Sequence, residues 1–167
     1  SNTYATQITS DATAKGAMGE LPVLTTGLET GKEILDARVA AINESGFGNA
    51  KISAADVWAN PENYYIVNYW SEAHYTDPGH ITGAMQYTPK LAMQVAEDLK
   101  TLPTDKTIVV YCYTGQTSAN MAAYLQVLGY DAKSLLFGAS GMFIDLISRD
   151  GYAHWADSYI MDYDLVQ

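Results

Sequence analysis

Residues 107–111 read Thr-Ile-Val-Val-Tyr, and Cys112 follows them. The run does not alternate between apolar and polar. A strand with one face in water alternates; a strand without alternation is buried on both faces, as in a parallel sheet with helices packed above and below. The rest of the chain fits that reading. Residues 64–69 (Tyr-Tyr-Ile-Val-Asn-Tyr) are rich in strand-favouring types, and shorter strands are predicted near 51–52, 84–87 and 133–137. Helices are predicted over 29–43, with Ile34, Leu35, Val39 and Ile42 on one stripe, and over 90–100. Two more follow over 117–128, with Met121, Tyr124, Leu125 and Leu128 on one side, and over 142–148. Ser53-Ala54-Ala55-Asp56 has the form of a capping box and starts a further short helix. Strands alternating with helices imply an α/β fold, a central parallel sheet flanked by helices on both faces. The chemistry of such a sheet lies beyond the carboxyl ends of its strands.

The 167 residues suffice for one domain with a real core and are too few for two. We place a single domain at 29–167 and read residues 1–28, rich in Thr, Ser, Ala and Gly, as a flexible N-terminal arm. Such an arm suits a chain from which a signal peptide or lipid anchor has been removed. With 13 tyrosines and few basic residues, this favours an extracytoplasmic location, periplasmic or secreted. Near the other end, apolar residues at 152, 155/156, 159/160 and 163 predict a short helix that packs its aromatics on the body. Nineteen acidic residues against nine basic give a net charge of −10, which repels phosphate backbones, so nucleic acid is not an expected partner. No apolar run approaches the ~20 residues of a membrane helix. His74, His80 and His154 lie at no metal-binding spacing, and one cysteine cannot build a cysteine-rich zinc site. Neither a metal nor a cofactor is expected, and His80 reads as a structural hydrogen-bonding residue.

The lone thiol is therefore structural or reactive, and its setting favours reactivity. Cys112 ends the buried strand; Tyr113, Thr114, Gly115, Gln116, Thr117 and Ser118 follow and lead into a helix. That geometry lifts the sulfur to the mouth of a turn, where free amide hydrogens and the positive helix end point at it. Such a field favours thiolate over thiol. Gly115 permits a tight backbone cradle, and Thr114, Thr117 and Ser118 add hydroxyl donors.

Cys112-Tyr113-Thr114-Gly115-Gln116-Thr117-Ser118 resembles the C-x-x-G-x-x-S active-site loop of the rhodanese-like family. Gly79-His80-Ile81-Thr82-Gly83-Ala84 resembles that family's second signature, G-H-I-x-G-A. The stretch from Ile66 to Tyr75 is similar to its D-V-R-x-x-x-E-[FY] segment, Leu128-Gly129-Tyr130-Asp131-Ala132 to its L-G-Y/F-x-x-V, and residues 138–141 to its closing glycine-rich loop. The likeness covers about residues 51–148. It implies a rhodanese-like fold and a sulfurtransferase: Cys112 as the nucleophile that carries a persulfide, and residues 113–118 as the loop that binds the substrate. The implied partners are a small sulfur-containing donor and a thiol or other thiophilic acceptor. An alternative is a non-catalytic rhodanese-like module that carries persulfide or binds a partner.

Two departures shape the expectation. Asn68 and Trp70 stand where the family pattern has Asp and Arg, so the local packing must differ. No Lys or Arg occurs from Thr107 to Ala132, so the loop has no cation to hold a dianion such as thiosulfate. A neutral or low-charge donor, a persulfide or polysulfide, is expected instead, unless a distant residue such as Arg149 folds in. The same lack of an arginine argues against a phosphatase or arsenate reductase, whose oxyanion needs that charge neutralised.

Overall fold

A computed structural model describes residues 1–149, 152 and 154–164, the side chain of Arg149 excepted. In chain order the elements are β1 (Ile8–Thr9), α1 (Gly31–Ser45), β2 (Lys51–Ile52), α2 (Ala54–Ala59), β3 (Tyr64–Asn68) and α3 (Glu72–Thr76). Then follow β4 (His80–Ile81), β5 (Met85–Gln86), β6 (Thr107–Tyr111), α4 (Gln116–Val127), β7 (Ala132–Leu135) and α5 (Ser140–Arg149). Five strands form a parallel sheet in the order β2-β7-β6-β3-β5. β6 is central, which explains its unbroken apolar run. Val109 and Tyr111 face one core with Ile66, Leu135, Val57 of α2, and Met142, Phe143 and Ile147 of α5. Ile108 and Val110 face the other, with Val67, Leu125 of α4, and Met93, Leu99 and Leu102. Helices cover both faces, as the pattern implied.

Local signals explain the element starts. Thr30 caps α1 through a full capping box with Glu33. Ser53 caps α2 by accepting from the Asp56 amide, as its sequence foretold. α1 buries none of its residues fully; it lies on α4, where Arg38 donates to the carbonyls of Gln126 and Val127 at 2.6 and 3.2 Å. A cation there satisfies carbonyls that the helix end leaves unpaired.

Several expectations are corrected. Residues 90–100 form turns and one 3₁₀ turn (Asp98–Thr101), not a helix. Lys90 sits at φ 69°, which breaks a helix at its start, and Ala92, Met93, Leu99 and Leu102 are buried along the turns that follow. The strand expected over 133–137 ends at Leu135, because the chain turns at Phe137 (φ 61°). α5 starts at Ser140, earlier than expected, and is kinked at Phe143. The C-terminal helix is absent from the described part of its segment. Only Asp157–Tyr159 make a 3₁₀ turn, and Trp155, Tyr159, Ile160 and Tyr163 are exposed rather than packed on the body; residues 150, 151, 153 and 165–167 lie outside the described ones.

The arm expected to be flexible is laid along the domain in its first half. Tyr4 stacks on Trp58 at 5.2 Å, β1 pairs antiparallel with β4, and Thr13 bridges to Met85. Lys15 bonds Asp98 at 2.6 Å, and the Gly19 amide donates to the Lys100 carbonyl. Long-range pairings of this kind leave no periodic trace in the sequence.

His80 is fully buried and stacks on Tyr75. Its Nδ1 lies 2.7 Å from the Tyr75 carbonyl oxygen, to which it donates. Burial lowers its pKa, against the Tyr75 bond and the nearby Asp11, which raise it. The unfolded chain therefore binds a proton that the folded chain resists. Stability should be complete above the ordinary imidazole value of ~6.5 and decline as pH falls below it towards the lowered folded value. Urea midpoints at pH 7.5 and 5.5 check this: wild type should lose more than His80→Gln.

Candidate active site

The Cys112 loop is built by three neighbours. β6 delivers the sulfur to the end of the central strand. α4 begins at Gln116, directly after Gly115 at φ 93°. The turn at 138–140 holds the loop from the side: the Ala139 amide donates to the Cys112 carbonyl at 2.9 Å and the Ser140 amide to the Tyr113 carbonyl at 2.8 Å. Gly138 (φ 51°) lies so close that a Cβ there would be 2.3 Å from the Cys112 carbonyl oxygen. In the sequence, residues 138–141 showed only a likeness to a closing glycine-rich loop. The turn's part in clamping the Cys112 loop depends on a backbone approach across 26 residues, and two glycines in Gly-Ala-Ser-Gly were the only available signal.

Cys112 is 3% exposed, so the sulfur lies at the floor of the loop rather than at its rim. Its lining is polar. The Ser118 amide donates to Sγ at 3.4 Å, and Ser118 Oγ is 3.6 Å away. Burial alone would raise the thiol pKa. The Ser118 hydroxyl and the amides of Ser118, Thr114 and Gly115 act the other way and prevail, so the pKa is lowered. Ser118 Oγ also lies 3.1 Å from the Gly115 carbonyl oxygen and bonds Ser134 Oγ at 2.8 Å, contacts that fix its position.

The sequence-predicted loop divides into parts. Cys112, Thr114, Gly115 and Ser118 surround the sulfur. Gln116 is exposed at the rim, and Thr117 is exposed on α4. Tyr113 stacks on Trp70 at 4.6 Å, and its hydroxyl bonds His74 Nδ1. Tyr152 lies beside both Tyr113 and His74. This aromatic cluster escaped sequence reading, since Trp70 signalled only a departure from a pattern.

That departure now has a physical account. Trp70 is fully buried, stacked on Tyr113 and edge-on to Tyr111 and Phe143. Asn68 Nδ2 donates to the Tyr111 hydroxyl at 2.8 Å, and the Ile81 amide donates to the same oxygen at 3.1 Å. Burial raises the Tyr111 pKa and keeps the phenol neutral. A neutral amide–phenol bond and ring packing occupy the place of an ion pair. Restoring one partner alone, Asn68→Asp, should cost about 2–3 kcal/mol at neutral pH, because the carboxylate would be buried without a cation. Chemical denaturation checks this, and the loss should shrink in acid.

Among the described residues no group of three or more His, Cys, Asp or Glu is arranged to hold a metal ion. No described helix is long and apolar enough to cross a membrane. Arg149, the distant cation considered for the loop, has its side chain outside the described residues.

Residues 23–142 match the rhodanese-like domain family. The chain belongs to that family. The match begins upstream of the motifs and takes in α1. Solved structures with a similar course include a rhodanese-related protein from Thermoplasma volcanium, 24% identical over 62% of this chain and 94% of that one, TM-score 0.47. Another is the possible tyrosine phosphatase RPA3614 of Rhodopseudomonas palustris, 19% identical over 81% and 100%, TM-score 0.46. A third is an NAD-dependent persulfide reductase from A. fulgidus, 25% identical over 62% of this chain and 17% of that one, TM-score 0.43. No curated protein matches the chain.

Proposed function

We propose that this rhodanese-like domain is a sulfurtransferase that moves a sulfane sulfur through a persulfide on Cys112. The observation that carries the proposal is the setting of Sγ at the end of the central strand, with the Ser118 amide donating to it at 3.4 Å and Ser118 Oγ 3.6 Å away, an arrangement that lowers the thiol pKa. In the loading step the Cys112 thiolate attacks the outer sulfur of a persulfide, R–S–SH. A new S–S bond forms to Sγ, the donor's S–S bond breaks, and R–S⁻ leaves with the electron pair. In the delivery step an acceptor thiolate attacks that outer sulfur, and Cys112 departs as thiolate. The cycle consumes no oxidant or reductant. Amides fixed at the sulfur favour its anionic form at both ends of the cycle without reorganising.

The absence of Lys and Arg from 107–132 supports a donor of low charge. An organic persulfide or organic polysulfide should load the enzyme readily, whereas thiosulfate should turn over poorly; a low-millimolar Michaelis constant for thiosulfate contradicts this. Intact-mass measurement after exposure to polysulfide tests the proposal itself. Wild type should gain one sulfur that thiols remove, and Cys112→Ala should gain none. A domain that loads but passes sulfur to no small thiol would be a carrier serving a partner.

A further inference from the structure

A hollow of about 550 Å³ opens beside the Cys112 loop, between the 3₁₀ turn Phe47–Ala50, α4 and the end of β7. Its wall includes Thr114, Gly115 and Gln116, the outer surface of the loop whose amides face the sulfur. The other side is apolar: Phe47, Ala119, Ala123, Leu136 and Phe137. The space exists because α4 carries only methyl groups at 119 and 123, one turn apart on one face. Phe137 is 70% exposed on a left-handed backbone, a costly arrangement for an aromatic residue that buries little of its ring. Among the described residues, Lys51 is the only charged one on the wall.

Ser134, also on the wall, stands one side chain from the sulfur: its hydroxyl bonds Ser118 Oγ, which lies beside Sγ. A concave apolar space that shares Thr114, Gly115 and Gln116 with a polar loop is the form of a small-molecule site. Among the described residues the hollow's one cation is Lys51, which is exposed, so a compact dianion gains little there, whereas a hydrocarbon body gains by leaving water.

Resting on the sulfur relay proposed above, we infer that the acceptor is a thiol with an aliphatic or aromatic body of about six carbons or more, seated in this hollow during delivery. Its thiolate attacks the outer sulfur of the Cys112 persulfide, the Sγ–S bond breaks, and the apolar persulfide and Cys112 thiolate result.

The test uses the full chain loaded with an organic persulfide such as cysteine persulfide. Delivery is followed with butanethiol, hexanethiol and 2-mercaptoethanol, and the rates are compared as ratios within each variant. In wild type the second-order rate for hexanethiol should exceed that for butanethiol about tenfold, as burial of two further methylenes allows. Filling the hollow with Ala119→Leu and Ala123→Leu together should flatten the ratio towards one. Phe47→Ala, which removes the opposite wall at an exposed site, should reduce it as well and guards against misfolding of the first variant. Normal loading with no chain-length dependence in wild type overturns this inference alone, as does a dependence that survives in both variants. Failure of Cys112 to load overturns the sulfur relay and, with it, the inference.

Discussion

Gly138→Ala should destabilise the domain by about 2–4 kcal/mol and return Cys112 towards ordinary thiol behaviour. The reason is steric and local. The new methyl carbon would lie 2.3 Å from the Cys112 carbonyl oxygen and 2.9 Å from the Gly115 nitrogen, both backbone atoms that no rotamer change can move. Its backbone, at φ 51°, is also one that residues with a Cβ rarely adopt. Relief requires the 138–140 turn to withdraw from the loop. The bonds from Ala139 and Ser140 to the Cys112 and Tyr113 carbonyls would then be lost, and the amides that face the sulfur would be released with them. Gly31→Ala is the matched control, since nothing lies within 4 Å of a Cβ built there. Urea denaturation together with alkylation rates at neutral pH gives both readouts. A Gly138→Ala variant as stable and as reactive as wild type would show that the turn does not hold the loop.

Cys112→Ser should abolish sulfur transfer while leaving the fold within about 1 kcal/mol of wild type. The exchange preserves shape and the hydrogen bond from the Ser118 amide. It removes the chemistry, because a hydroxyl remains protonated near neutrality and is a weak nucleophile towards sulfur. The chain holds one cysteine, so no second thiol can take over. Transfer from polysulfide to 2-mercaptoethanol should fall to the rate seen without protein. Turnover above that background in a correctly folded variant would mean that sulfur passes without a covalent carrier.

The sheet and the Cys112 loop were legible because their signals are local. The run from Thr107 to Tyr111 states its own burial, and Cys112-x-x-Gly115-x-x-Ser118 carries strand end, tight turn and helix start within seven residues. Ser53 and Asp56 announced their cap for the same reason. What escaped depends on residues far apart in the chain. Trp70, His74, Tyr113 and Tyr152 form one cluster from three separate segments. β1 finds β4 across some 70 residues, so a segment with no periodicity reads as a loose arm although it forms a strand. Residues 90–100 had helical spacing, yet the backbone at Lys90 breaks a helix at its start. The aromatic spacing after residue 152 misled in the opposite direction, since Trp155 and Tyr159 border a second hollow with Thr114 and Gln116 instead of forming a helix.

Central to this account is the claim that the donors around Sγ outweigh the burial of the sulfur. Thiolate absorbance followed across pH measures that balance directly, with Cys112→Ser as the blank for the tyrosines. Wild type should ionise below the range of a free cysteine thiol, and Ser118→Ala should ionise at higher pH than wild type. Ionisation at or above the free-thiol range, unmoved by Ser118→Ala, would mark a sulfur dominated by its burial and would contradict the account.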